Sequence, residues 1–147
     1  MICGKIKDIK GQSMEQKRII AVAGIIEGAD GKILCTQRDK SKNDEVSFKW
    51  EFPGGKMEYG ETAKQTIARE LKEELDIDVK VEDLFNTVEF DYPNFHLSMP
   101  VYKCKMLSKN YKLNVHKSAM WLEKSKILSL DWAPADLLIA KQIQKQG

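Results

Sequence analysis

The chain reads as an α/β domain with a mixed β-sheet packed between helices, and three observations lead there. An apolar, β-prone run from Ile19 to Ile26 is followed by an Asp30-Gly31 turn signal and a return run from Lys32 to Arg38. A capped amphipathic helical pattern starts near Ala63. A second helical pattern opens on Pro134 and carries Leu137, Leu138, Ala140, Lys141 and Ile143. Strand-type and helix-type periodicities therefore interleave, which predicts helices lying on the faces of a sheet.

Taken in order, residues 1–17 are lysine-rich and weakly periodic, and read as a flexible N-terminal tail ahead of a domain over 18–147, with Met14 as an alternative start. Ile19 to Ile26 is apolar and β-prone and so predicts a buried strand. Asp39 to Lys49 is polar and aperiodic, hence a loop. Trp50-Glu51-Phe52 is a short strand leading into the Pro53-Gly54-Gly55 turn, whose glycines permit close backbone approach. Thr62 and Gln65 form a capping-box pattern, and Ile67, Leu71 and Leu75 make the apolar stripe of the helix that follows. Ile77 to Val81 and Leu84 to Tyr92 predict two strands, Tyr92-Pro93-Asn94 a turn, and Phe95 to Met106 a further strand whose Pro100 points to an edge or a bulge. Trp121-Leu122 is a short strand before the C-terminal helix.

Composition sets the frame. A length of 147 residues, 42% hydrophobic and 31% charged, suits one globular domain with a sizeable core. A net charge of +2 gives no argument for a nucleic-acid polymer or a membrane as partner. Cys3, Cys35 and Cys104 are odd in number and lack metal-ligand spacing, which predicts free thiols and a cytoplasmic location. No run is long and apolar enough for a membrane span, and no signal-peptide core is visible. A monomer or homodimer is expected.

The helix from Ala63 carries the chemistry. Glu70, Glu73 and Glu74 stand at i, i+3 and i+4, within about a 100° arc of one face. Like charges so placed repel unless a cation neutralises them. Carboxylates without histidine or cysteine favour a hard ion, Mg²⁺ or Mn²⁺. Arg69 is placed to hold a glutamate near the helix start by a bidentate contact.

Gly55, five residues, Glu61, seven residues, then Arg69-Glu70-Leu71-Lys72-Glu73-Glu74-Leu75-Asp76-Ile77 resembles the Nudix box, GX5EX7REUXEEXGU. Asp76 replaces the last glycine, and aspartate is among the few residues that tolerate the left-handed conformation needed there. The segment Lys49 to Lys56 resembles MutT-type nucleoside triphosphate pyrophosphohydrolases, and Leu130 to Asp136 the MutT and CTP pyrophosphohydrolase branch. The resemblance implies the Nudix α/β/α sandwich and hydrolysis of an NTP or dNTP to monophosphate and pyrophosphate, in nucleotide sanitation. It implies that Glu70, Glu73, Glu74 and the Gly55 carbonyl hold Mg²⁺, that Glu70 or Glu73 is the base, and that Arg69 and Glu61 are supports. The ion would neutralise charge on phosphate oxygens and acidify the attacking water.

The same resemblance suggests substrate-binding residues. Arg38 falls where MutT-type enzymes place a nucleotide-contacting arginine, or is an exposed strand end. Lys56 meets a phosphate or solvent. Asp136 falls where an Asn or Asp reads the base edge, or is a first-turn acid favoured by the helix dipole. Phe95 stands where the 8-oxoguanine enzyme has a base-contacting arginine, and is either an apolar wall or core. Trp50, Phe52 and Trp132 line the pocket or the core. Related enzymes carry a glutamate at the position of Val115, so a ligand is missing or comes from Glu58 or another loop. His116, beside it, reads as an exposed loop histidine. The expected substrate is a (d)CTP-like or oxidised purine nucleotide. The alternatives are a Nudix hydrolase of another nucleoside diphosphate derivative, such as a nucleotide sugar, and a non-catalytic nucleotide-binding module.

Overall fold

The computed structural model describes residues 5–7, 13–15 and 17–146. Near the start, β1 (Lys5–Lys7) and β2 (Ser13–Glu15) pair antiparallel. The rest of the tail expected over residues 1–17, Cys3 included, lies outside the described residues.

The main sheet runs β5-β4-β3-β8-β7, with β6 added against β3 and β9 against β4. Its strands are β3 (Arg18–Glu27), β4 (Ile33–Gln37), β5 (Trp50–Glu51), β6 (Gly54–Lys56), β7 (Val79–Tyr92), β8 (Phe95–Met106) and β9 (Ser118–Leu122). β3 and β8 run parallel and the other pairs antiparallel, so the sheet is mixed as expected.

The two helices explain why β3 is apolar without alternation. Val22 and Ile26 face α1 (Ala63–Leu75), packing with Ile67, Leu71 and Leu75. Ala23 and Ile25 face α2 (Pro134–Gln146), packing with Ile139, Ala140 and Ile143. A strand covered on both faces carries apolar residues at every position. The α1 stripe of Ile67, Leu71 and Leu75 is fully buried. Such burial is worth about 1.5–3 kcal/mol per side chain, against a few tenths for an exposed i,i+4 pair, so packing holds the helix in place. Cys35 lies in the α2-side core and Cys104 in the α1-side core as free thiols, both pushed up to about 12 by burial.

One segment positions the site. After their hairpin β3 and β4 diverge, and residues 50–56 fill the gap. β5 pairs β4 through Thr36 and Glu51, and β6 pairs β3 through Val22 and Gly55. The crossing is pinned by Gly24 N–H donating to the Pro53 carbonyl at 2.9 Å and by Thr36 Oγ1 donating to the Glu51 carbonyl at 2.9 Å. A Cβ on Gly54 would overlap the Val22 carbonyl oxygen, so only glycine fits.

Two strand expectations change. Residues 79–92 form one strand, with register irregularities between Val81 and Asn86 in place of a break. These absorb the polar interruption that divides the pattern in sequence. β8 is interior, between β3 and β7, despite Pro100. The β3–β8 ladder pairs Ile20 with Ser98 and next Ala23 with Val101, so the proline falls where that ladder is interrupted, with no change of register.

Candidate active site

Helix α1 begins as its sequence dictates. Thr62 caps it, with its side chain accepting from Gln65 N–H and the Gln65 side chain accepting from Thr62 N–H. Asp76 closes it in the left-handed conformation, φ 53° and ψ 42°, in place of glycine. Between these caps Arg69 organises the acids. Its Nε donates to Glu61 Oε2 at 2.6 Å and its Nη2 to Glu61 Oε1 at 2.9 Å, the expected bidentate contact. Its Nη1 donates to Glu70 Oε1 at 2.8 Å and reaches both Glu73 oxygens at 3.3 Å, and its Nη2 also reaches the Lys56 carbonyl at 3.2 Å.

Glu61 also accepts from Glu58 N–H and the Thr66 hydroxyl. The Arg69 contact, then the Glu58 amide, lowers its carboxyl to about 2. With both oxygens so occupied, Glu61 holds Arg69, and Arg69 in turn aims Glu70.

The three clustered glutamates differ in setting. Glu70 is 17% exposed, Glu73 58%, and Glu74 reaches furthest inward. Burial first, then the charges of Glu51 and Glu70, holds the Glu74 carboxyl well above the usual carboxylate range. Its Oε1 is buried and without a hydrogen-bond partner. The space a Cβ on Gly55 would need is taken by the Glu70 carboxylate, so glycine lets that carboxylate lie against the backbone. As they stand, no three acidic, histidine or cysteine side chains among the described residues converge closely enough to grip an ion. The orphaned Glu74 oxygen and the all-oxygen donor set fit a hard divalent cation.

A cleft of about 330 Å³ runs from this cluster across β3 and the start of β8, within the size range of small-molecule sites. It joins Gly55, Lys56 and Glu74 to Arg38, Phe95 and Asp136. Phe95 stacks on Tyr92 with centroids 5.0 Å apart, and both line the cleft. Asp136 is buried, and its Oδ2 accepts from Phe52 N–H at 2.9 Å. Burial, then the Glu51 charge, pushes its carboxyl up to about 8. Of the aromatics considered for the pocket, Phe52 lines it, whereas Trp50 and Trp132 lie in the α2-side core. Phe52 stacks on Trp132 at 4.5 Å.

Two residues gain a place that the sequence reading did not give them. Glu51 lines the cleft, and its Oε1 accepts from Arg38 Nη1 at 3.1 Å. His116 is not an exposed loop residue. Its side chain is 3% exposed and its Nε2 lies 3.0 Å from Glu51 Oε2. The residue is drawn inward because Lys117 N–H, next along the chain, donates to the Gln37 carbonyl and docks this segment beside β4. Val115 is 57% exposed at the rim of the adjoining hollow, which Glu51 and Glu74 also line. Glu58 meets Arg69 Nε only at 3.6 Å and is mostly exposed. The signal that could have found Glu51 was its place beside the Pro53-Gly54-Gly55 turn, where a short strand had to pass the site.

The NUDIX domain family model matches residues 17–146. The chain is 36% identical over 89 residues to the 8-oxo-dGTP diphosphatase of Proteus vulgaris, covering 60% of this chain and 78% of that one. It is 32% identical over 121 residues to the CTP pyrophosphohydrolase of Escherichia coli K12, covering 82% and 87%. The solved structure of a MutT protein from Methanosarcina mazei Go1 superposes with a TM-score of 0.79 at 26% identity, covering 91% of this chain and 98% of that one. Among the described residues no helix is long and apolar enough to cross a membrane.

Proposed function

The chain belongs to the Nudix hydrolase family, and on that premise we propose that it is a Mg²⁺-dependent pyrophosphohydrolase of nucleoside triphosphates, releasing the monophosphate and pyrophosphate. The observation that carries this reading is one cleft with Gly55 and Glu74 at one end and the rings of Tyr92 and Phe95 beside Asp136 at the other. A triphosphate needs charge neutralisation at its oxygens, and a base needs a flat apolar wall and a polar edge.

Glu70, Glu73, Glu74 and the Gly55 carbonyl would hold the cation, which supplies charge neutralisation at phosphate oxygens and a more acidic water for attack. Arg69 keeps Glu70 oriented, and Glu61 keeps Arg69 oriented. Glu70 or Glu73 takes the proton of the attacking water. Lys56 and Arg38 meet phosphate oxygens. Phe95 gives the base its wall. Asp136 holds its proton at neutral pH, so its carboxyl can donate to an acceptor on the base while Oδ2 accepts from Phe52 N–H. Cytosine N3 and the O6 of an oxidised guanine are both such acceptors, in keeping with relatives named for CTP and for 8-oxo-dGTP.

The test is pyrophosphate release with Mg²⁺ across the standard NTPs and dNTPs, 5-methyl-dCTP, 8-oxo-dGTP, ADP-ribose and a sugar nucleotide, with Glu73→Gln as control. Release from a triphosphate that is lost in the control is the expected result. Cleavage of ADP-ribose or the sugar nucleotide alone would move the substrate to the diphosphate derivatives. Binding without any turnover would make the chain a nucleotide-binding module, with Val115 the position to examine.

A further inference from the structure

Arg38, Glu51 and His116 form a polar chain at the rim of the cleft, built from three separate segments. Arg38 follows β4, and its N–H donates to the Lys49 carbonyl at 2.9 Å, which fixes its backbone. Glu51 lies on β5, held opposite Thr36 by strand pairing. His116 precedes β9, tied to β4 through the Lys117–Gln37 hydrogen bond. A carboxylate can only accept here, so Nε2 of His116 carries the hydrogen shared with Glu51 Oε2. One Glu51 oxygen is thus committed to histidine and the other to Arg38, which sets both the plane and the rotamer of the carboxylate.

The arginine has other acids to turn to. Glu74 and Asp136 both feel its positive charge, and Arg38 and Glu74 line both the cleft and the adjoining hollow. Released from Glu51, the guanidinium would fold onto Glu74 and neutralise it. Held as it is, the Arg38 side chain stays 40% exposed and lines the cleft, where its guanidinium can meet a ligand. The imidazole is a poor space filler, because its Nδ1 is buried and has no hydrogen-bond partner. What it contributes is the hydrogen on Nε2.

We propose that Glu51 and His116 are positioning residues which hold the Arg38 guanidinium toward the phosphates of the nucleotide and away from Glu74. The assignment rests on the nucleotide reading above. Histidine here acts through two intermediaries and never meets the substrate.

A double-mutant cycle between His116 and Arg38 tests this. His116→Ala is expected to raise KM on the order of tenfold with kcat within about threefold, the loss of one hydrogen bond to a charged group. His116→Gln, whose amide can still donate to Glu51, is expected to bring KM back to within about threefold of the parent chain. In an Arg38→Lys background His116→Ala is expected to add nothing, because the two act on one contact. An unchanged KM in His116→Ala, additive effects in the cycle, or equal losses in the Ala and Gln variants would each overturn the proposal. If His116→Ala fails to fold, Glu51→Gln takes its place, keeping volume while weakening both contacts. Should the parent chain turn over no nucleotide, the activity reading fails, and the same cycle read as nucleotide Kd by calorimetry decides the clamp separately.

Discussion

The two ends of the cleft are built in opposite ways. The acidic end comes from one helix and its cap, Glu61 to Glu74, and all of its acids but Glu74 are compensated in place by Arg69. Arg69 hydrogen-bonds three carboxylates and lies 3.6 Å from a fourth, that of Glu58, and Glu61 falls to about 2 because that guanidinium sits on it. The other end is assembled from Phe52, Tyr92, Phe95 and Asp136, drawn from separate parts of the chain. There burial dominates, and Asp136 rises to about 8. At the first end Arg69 compensates the outer acids, while burial raises the innermost one, Glu74, to about 8. The second keeps an acid neutral inside the protein, ready to read a hydrogen-bonding edge. A binder of phosphate alone has no use for the second arrangement.

The largest effect that would break this contrast lies at the acidic end. Glu74→Gln should lower turnover at least about 10²-fold with the fold intact, since on the proposed reading it removes a donor oxygen to the cation. Near-normal rates, with circular dichroism unchanged, would remove Glu74 from the cation's donors. Next, Arg69→Lys keeps the charge but loses the fork that grips Glu61 while reaching Glu70. A fall of roughly 10–100-fold in Mn²⁺ affinity or activity is expected, as for other supporting partners of metal ligands. Isothermal titration with Mn²⁺ reads it directly.

At the neutral end the signature is in stability. Folded Asp136 keeps its proton up to about pH 8, whereas the unfolded chain releases it near the ordinary value of 3.8. Between those values the folded state holds the extra proton, so stability should fall as pH rises from about 4 to about 8 and level off above. Asp136→Asn should remove that decline, so urea midpoints of the two proteins would diverge in favour of the variant as pH rises. A parent chain that instead gains on the variant across this window would mean that the ionised carboxylate is stabilised in place. The smallest effect is expected from Glu58→Gln. Its contact with Arg69 is long and exposed, so turnover should stay within about twofold. A larger loss would bring Glu58 into the cation site after all.

The same contrast decides what could be read in advance. The caps, the stripe and the acids of α1 are local, so Thr62, Gln65, Arg69 and Asp76 do what their spacing implies. His116 could not be read this way, because its burial depends on the docking of a segment beside β4, 65 residues from its partner Glu51. Pro100 misled for a similar reason. Its missing N–H argues for an edge, yet the parallel β3–β8 ladder leaves a gap where it sits. The division expected between Val81 and Leu84 failed because one long partner strand bridges the irregularity. Arg38, Lys56, Phe95 and Asp136 do share one cleft, though only the meeting of distant segments makes it a cleft at all.

The crossing segment at residues 50–56 also acts as a ruler. Glu51 belongs to the rim, Phe52 carries the N–H that engages Asp136, Gly54 rests on β3, and Gly55 accommodates Glu70. Glu51 and Gly55 stand four residue steps apart, a span of about 13 Å for extended backbone. Hydrogen bonds to two strands prevent that length from changing. Lengthening or shortening it by one residue would flip which side chains face the cleft and shift one end against the other. Ligands of different reach must therefore be accommodated by the polar loop from Asp39 to Lys49, where an insertion disturbs no ladder. Insertion scanning should find that loop permissive and the seven residues after it closed.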